Sequence, residues 1–232
     1  SCIEGGERIM KIGCAILAGG KSSRMGTDKA LLEYDGKQFI MQIAEELSWF
    51  DERIIARGSN CGFGDEIARQ WKVIPDIYPD HGPIGGLHAA LSCCDTDALF
   101  VVTCDMPLIK SELVRKLCME MQKMDAGRGQ TNRYAGDRAG EDVDEQVSGD
   151  IRDSVDAVIA VGADDKIHPL CGVYRKSTLP VLEEQIISGQ NRVMASLKKL
   201  HVKYVTIDSP SEACQISNIN TPQDYEILKN QR

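Results

Sequence analysis

Between Gly19 and Lys29 the chain reads "GGKSSRMGTDK", eleven positions that hold three glycines, Arg24 and two lysines, Lys21 and Lys29. A glycine has no Cβ, so its backbone N–H can come within hydrogen-bonding distance of a polyphosphate, while nearby cations offset the ligand's charge. A triphosphate held this way presents its α-phosphorus to in-line attack, with the charge on the leaving pyrophosphate compensated. A second reading competes. Residues 15–22, "AILAGGKS", come within one residue of the P-loop pattern G-x-x-x-x-G-K-[ST], with Ala15 standing where the first glycine belongs. A P-loop begins its helix directly after the lysine. Here "SSRMGTDK", with Gly26 in it, follows the glycine pair and shifts the turn to Gly19–Asp28. One feature favours the P-loop reading: Asp105 ends the apolar run "ALFVVTCD" as a Walker-B aspartate would.

The elements that must carry these residues show as apolar runs alternating with helix-period segments. "KIGCAILA", "RIIARG", "KVIPD" and "ALFVVTCD" read as strands, and the continuous apolarity of the first and last is that of strands covered on both faces. "QFIMQIAEELSW" places Phe39, Ile40, Ile43, Ala44 and Leu47 on one helical face, and "GDEIARQW", "LHAALSCC" and "SELVRKLCMEMQKM" supply further helices. "HGPIGG" reads as a loop. Later come the strands "VDAVIAV", "LCGVY" and "KYVTI", the helices "STLPVLEEQIIS" and "RVMASLKKL", and a last helix "PQDYEILKN". Thr221 is its N-cap, Pro222 its first residue and Asp224 the partner in a capping box. This alternation predicts a single α/β domain, Rossmann-like, three-layered and with a mostly parallel sheet whose site lies at the carboxyl edge of its strands. Residues 125–154, rich in Gly, Asp and Arg, read as a flexible surface insertion, with a lid over the site as the alternative.

Composition narrows the function classes. Net charge is −8 across 232 residues, which argues against a broad nucleic-acid footprint, although a local cluster of cations can still bind a phosphate. No apolar run approaches the length of a membrane span, and "SCIEGGERIM" has no apolar core of a secretory signal. Nine cysteines, an odd number without a C-x-x-C pair, read as free thiols of a reducing cytoplasm.

The loop and three further segments together resemble one family. "LAGGKSSRMGTDKALL" is similar to the signature L-A-G-G-x-S-x-R-M-G-x-D-K of the molybdenum cofactor guanylyltransferases. "VIPDIYPDHGPIGGLHAAL", "TCDMPLI", and "HPLCGVY" with "NINTPQDY" resemble the family's later motifs in the same order. The resemblance implies that Leu17, Ala18, Gly19, Gly20, Asp76, Gly82 and Gly86 line a nucleotide site, that Arg24 and Lys29 reach the phosphates, and that Asp105 binds Mg²⁺. It sets Asn218, Asn220 and His168 on the acceptor side. The bland alternatives are a turn residue for Asp76, a cap of the last helix for Asn218 and Asn220, and a core histidine for His168. Arg57 departs from the family, which often has asparagine there. The implied reaction moves GMP from GTP to the terminal phosphate of molybdopterin or Mo-molybdopterin and releases pyrophosphate. Transient contact with molybdoenzyme maturation proteins goes with it. A cytidylyltransferase for the same pterin, a nucleotidyltransferase for another phosphorylated metabolite, a P-loop NTPase and a non-catalytic GTP-binding regulator are the alternatives.

Overall fold

The structure is a computed structural model and describes residues 9–19, 29–57, 65–131 and 155–230. The strands are β1 (Ile12–Leu17), β2 (Glu33–Tyr34), β3 (Lys37–Gln38), β4 (Arg53–Ala56), β5 (Lys72–Ile74), β6 (Ala98–Thr103), β7 (Ala157–Gly162), β8 (Ile167–Arg175) and β9 (Val202–Ile207). The helices are α1 (Phe39–Glu46), α2 (Asp65–Gln70), α3 (Pro83–Cys93), α4 (Ser111–Thr131), α5 (Leu179–Ile187), α6 (Val193–Leu197), α7 (Pro210–Ala213) and α8 (Pro222–Lys229).

Seven strands form one sheet in the order β5-β4-β1-β6-β8-β7-β9. The β5-β4-β1-β6 half is parallel throughout. β8 runs antiparallel to both of its neighbours, and β9 pairs parallel with β7. The period-2 alternation of side chains divides each central strand between two cores. Cys14, Ile16, Phe100 and Val102 pack on one face with the apolar sides of α1 and α4. Ala15, Leu17, Leu99 and Val101 pack on the other with α3, α5 and α6. Cys171, fully enclosed, has its thiol pushed up to about 12 by burial, so it packs as a neutral apolar group.

Three features differ from the sequence expectation. "HGPIGG" is not all loop: α3 starts at Pro83, and Gly82 precedes it with φ of 65°. Gly85 and Gly86 lie inside its first turns, because a Cβ on Gly85 would come 2.7 Å from the Tyr78 carbonyl oxygen. Secondly, "EYDGKQ" forms the hairpin β2–β3, turned by Asp35 and Gly36 with φ of 56° and 75°.

Thirdly, α4 runs into the glycine-rich segment as far as Thr131, and residues 132–154 lie outside the described residues. The flanks of that segment are joined by one side chain. Arg175 is 7% exposed, pairs through Nη1 with Asp125 at 2.9 Å and donates from Nε to the Val155 carbonyl at 2.7 Å. Arg175 faces Ala98, the first residue of β6, so both flanks sit at the sheet edge where β6 begins. A six-residue strand, roughly 20 Å, separates them from the edge where β6 ends.

A third, small cluster ties the hairpin to the C-terminal helix. Phe39, Ile219 and Leu228 are buried together, with Tyr34 and Tyr225 against them. Phe39 and Tyr225 meet edge-on at 5.9 Å, and the Tyr225 hydroxyl donates to the Glu33 carbonyl at 2.5 Å. Burying Phe39 contributes roughly 2–3 kcal/mol. Its consequence is positional: it holds the segment after Lys29 against the segment after Asn220.

Candidate functional site

At the carboxyl ends of β1 and β6 the chain leaves the sheet in adjacent loops, and an open cavity of about 430 Å³ lies there. Leu17, Ala18, Gly19, Lys29, Asp105, His168, Asn218 and Asn220 all line it. Eight of the residues singled out in the sequence therefore converge on one space.

Asp105 is its centre. The Thr103 hydroxyl donates to Asp105 Oδ1 at 2.5 Å, and Asn218 Nδ2 donates to the same oxygen at 2.8 Å. Lys29 Nζ lies 3.3 Å from Oδ2, each side chain 16% exposed, and also donates to Asn220 Oδ1 at 2.7 Å. The Ile219 N–H donates to the Asp105 carbonyl at 2.8 Å, which anchors "NIN" across the end of β6. Asn218 and Asn220 thus spend their side chains on the site. The last helix is capped without them, by Thr221 and Asp224 in a reciprocal capping box.

His168, on β8, is 6% exposed. Burial, and then the charge of Lys166, pull its pKa below the usual histidine value, opposed by Asp164 and by a hydrogen bond with Asn218. The imidazole is neutral at physiological pH, one side chain removed from Asp105.

The row continues along the parallel strands. Arg57 follows β4, its N–H donating to Ile74 O at 3.0 Å, and Ala18 follows β1, its N–H donating to Ala56 O at 2.8 Å. Asp76 follows β5. One oxygen, Oδ1, is buried with no hydrogen-bond partner among the described residues, and burial raises the carboxyl's pKa above the normal range. Gly86 packs beneath it, a Cβ there falling 3.6 Å from Asp76 Oδ1. Three strand spacings separate the end of β5 from that of β6, about 14 Å, a span suited to a nucleotide laid across the edge. Gly82 enters only as the backbone N-cap of α3, where Pro83 touches the cavity. Arg24 and Gly20 lie outside the described residues.

Thr103 and Lys166 are among the cavity residues that were not foreseen. Thr103 stands two positions before Asp105 in the strand run, a spacing that alternation would have placed on the same face. Lys166, in the β7–β8 connection, sits in "ADDK" and has the composition of any solvated turn.

Comparison with known proteins identifies relatives of the whole fold. The family model of the MobA-like NTP transferase domain matches residues 14–203. A probable molybdenum cofactor guanylyltransferase of Clostridium perfringens is 31% identical over 227 residues, covering 95% of this chain and 97% of that protein. The molybdenum cofactor guanylyltransferase of Vibrio parahaemolyticus is 31% identical over 216 residues, with 90% of each chain covered. Among solved structures, molybdopterin-guanine dinucleotide biosynthesis protein A from Archaeoglobus fulgidus superimposes with a TM-score of 0.68 at 25% identity, covering 95% of this chain and 97% of that one. A nucleotidyl transferase from Methanothermobacter shares the fold, with a TM-score of 0.63 at 16% identity and coverage of 95% and 96%. With the match spanning most of the sheet and both sides of the cavity, the chain belongs to the family of MobA-like NTP transferase domains.

Proposed function

We propose that the chain is one nucleotidyltransferase domain that transfers GMP from GTP to the terminal phosphate of molybdopterin or Mo-molybdopterin, releasing pyrophosphate. The observation that carries this is the meeting of Lys29, Asp105, Asn218 and Asn220, drawn from three distant parts of the sequence, at one point on the carboxyl edge of the sheet. The names of the relatives set the choice of base and acceptor.

The nucleotide lies along the row from Asp76 to Asp105, with its phosphates over Gly19 and Lys29. The unpartnered Asp76 oxygen accepts from a donor on the base or ribose, which relieves its burial. Lys29 turns from Asp105 to the phosphates and offsets the charge that builds on the leaving pyrophosphate. The acceptor oxygen is already ionised, so the chain needs no general base. It forms a bond to the α-phosphorus as the bond to the bridging oxygen breaks, and the electron pair departs with pyrophosphate.

Asp105 fits Mg²⁺. It is a hard anionic donor whose lone pairs are only partly used by Thr103, Asn218 and Lys29. Among the described residues no group of three or more His, Cys, Asp or Glu side chains gathers as a metal cage, so substrate phosphates and water supply the remaining oxygens. When bound, Mg²⁺ supplies Lewis-acid polarisation of the phosphates. No described helix is long and apolar enough to cross a membrane, and we assign the enzyme to the cytoplasm.

The test is pyrophosphate release with GTP, CTP, ATP and UTP, each with and without molybdopterin. The reading requires release only with acceptor present and fastest with GTP. Preference for CTP would reassign the base, and acceptor-independent phosphate release from GTP would return the P-loop reading.

A further inference from the structure

The cavity has two walls that differ in how their cations are used. On the nucleotide wall, Lys29 is engaged by Asp105 and Asn220. On the facing wall, Lys166 reaches the same cavity from the β7–β8 connection. Its backbone is held firmly. The Gly162 N–H donates to the Lys166 carbonyl at 2.9 Å, the Lys166 N–H donates to Asp164 Oδ1 at 3.2 Å, and Asp165 makes the turn with φ of 59°. The Lys166 side chain is exposed and forms no ion pair among the described residues. His168, two residues on, is buried in the same wall.

Resting on the guanylyltransferase reading, we propose that Lys166 supplies the cation that receives the phosphate monoester of the acceptor, on the wall that also holds His168. The reaction must bring an acceptor dianion up to a triphosphate that is itself highly charged. Lys29 and Asp105 are committed to the nucleotide side, so the incoming charge needs a cation of its own. Lys166 supplies it from a fixed turn, with its ammonium still hydrated and free to move onto the phosphate. His168, buried and hydrogen-bonded to Asn218, closes the inner side of the same wall. The subsite would select phosphate monoesters over unphosphorylated alcohols, because only the former carry the charge that Lys166 pairs with.

The experiment compares wild type, Lys166→Ala and Lys166→Arg by initial rates of pyrophosphate release, with GTP and molybdopterin varied in turn. The substitution lies on an exposed side chain, so the fold is retained. Loss of one charged hydrogen bond to a phosphate predicts an acceptor KM raised about tenfold, with the KM for GTP unchanged. Lys166→Arg should recover most of the loss, and added salt should raise the acceptor KM more in wild type than in Lys166→Ala. An unchanged acceptor KM in Lys166→Ala, or parallel rises in both KM values, overturns the subsite alone. Absence of acceptor-dependent release in wild type overturns the functional reading and the subsite with it.

Discussion

Replacing Lys29 with methionine keeps the length of the side chain and removes its charge. In the resting site this abolishes a 3.3 Å contact to Asp105 and a 2.7 Å hydrogen bond to Asn220. Asp105 is not left bare, because Thr103 and Asn218 still donate to it. The ion pair is also partly open to water, so its net worth to folding is about 1 kcal/mol. For a chain of this size that lowers Tm by about 2–4 °C. Turnover should suffer far more. A positioned charge on the departing phosphates is worth about 100- to 1,000-fold in kcat, or roughly 2.7–4 kcal/mol. The excess of the catalytic effect over the stability effect is the signature of a group that acts in the transition state. Pyrophosphate release at saturating GTP and acceptor, with a thermal melt of the same preparation, measures both quantities. Lys21→Met, at the residue a P-loop would require, should be mild. Turnover within about threefold of wild type in Lys29→Met, or an equal collapse in both variants, would refute the reasoning.

Asp105→Asn keeps the shape but loses the anionic donor, so activity should fall at least ~100-fold and the Mg²⁺ concentration for half-maximal rate should rise. Asp76→Asn should separate stability from function. Burial raises this carboxyl's pKa, so its charged form weakens the fold as pH rises through that value, and the neutral amide should raise Tm at pH 7 while raising the KM for GTP. Gly85→Ala should destabilise by about 1–3 kcal/mol, because its Cβ would sit 2.7 Å from the Tyr78 carbonyl, and the displaced loop should weaken GTP binding through Asp76. Burial holds both His88 and His168 below the usual histidine pKa. The unfolded chain therefore takes up protons first, and stability present above about pH 6.5 should fall as pH drops toward the folded values; His88→Gln should flatten that slope in denaturant melts.

The parallel half of the sheet was legible because its central strands are covered on both faces and show as unbroken apolar runs. Pairing direction leaves no such mark, and nothing in "LCGVY" announced that β8 lies antiparallel between β6 and β7. The start of α3 was misread for a physical reason. Gly85 and Gly86 have the composition of a loop, yet they serve close packing against Tyr78 and Asp76 at a helix start that Pro83 marks. The Asp-Gly signal of the β2–β3 hairpin was present, but its strands are two residues each, too short for periodicity to show.

In the site, Lys29 and Asp105 were legible because a glycine-rich loop and a strand-end carboxylate carry chemistry in their type and place. Asn218 and Asn220 were ambiguous, since asparagine before a helix caps as readily as it binds. The hydrogen bonds to Asp105 and Lys29 show that neither side chain caps the last helix. Lys166 had no signal at all. As for residues 125–154, the Arg175 clamp holds the flanking residues Asp125 and Val155 at the edge where β6 begins, and residues 132–154 lie outside the described residues.

The most direct measurement follows the α-phosphorus. With GTP labelled at that atom, Mg²⁺ and molybdopterin, the account predicts that the label moves into a pterin–guanine dinucleotide, with one pyrophosphate released for each transfer and no turnover without acceptor. Label recovered as GMP or GDP, formed at the same rate whether or not molybdopterin is present, would contradict it.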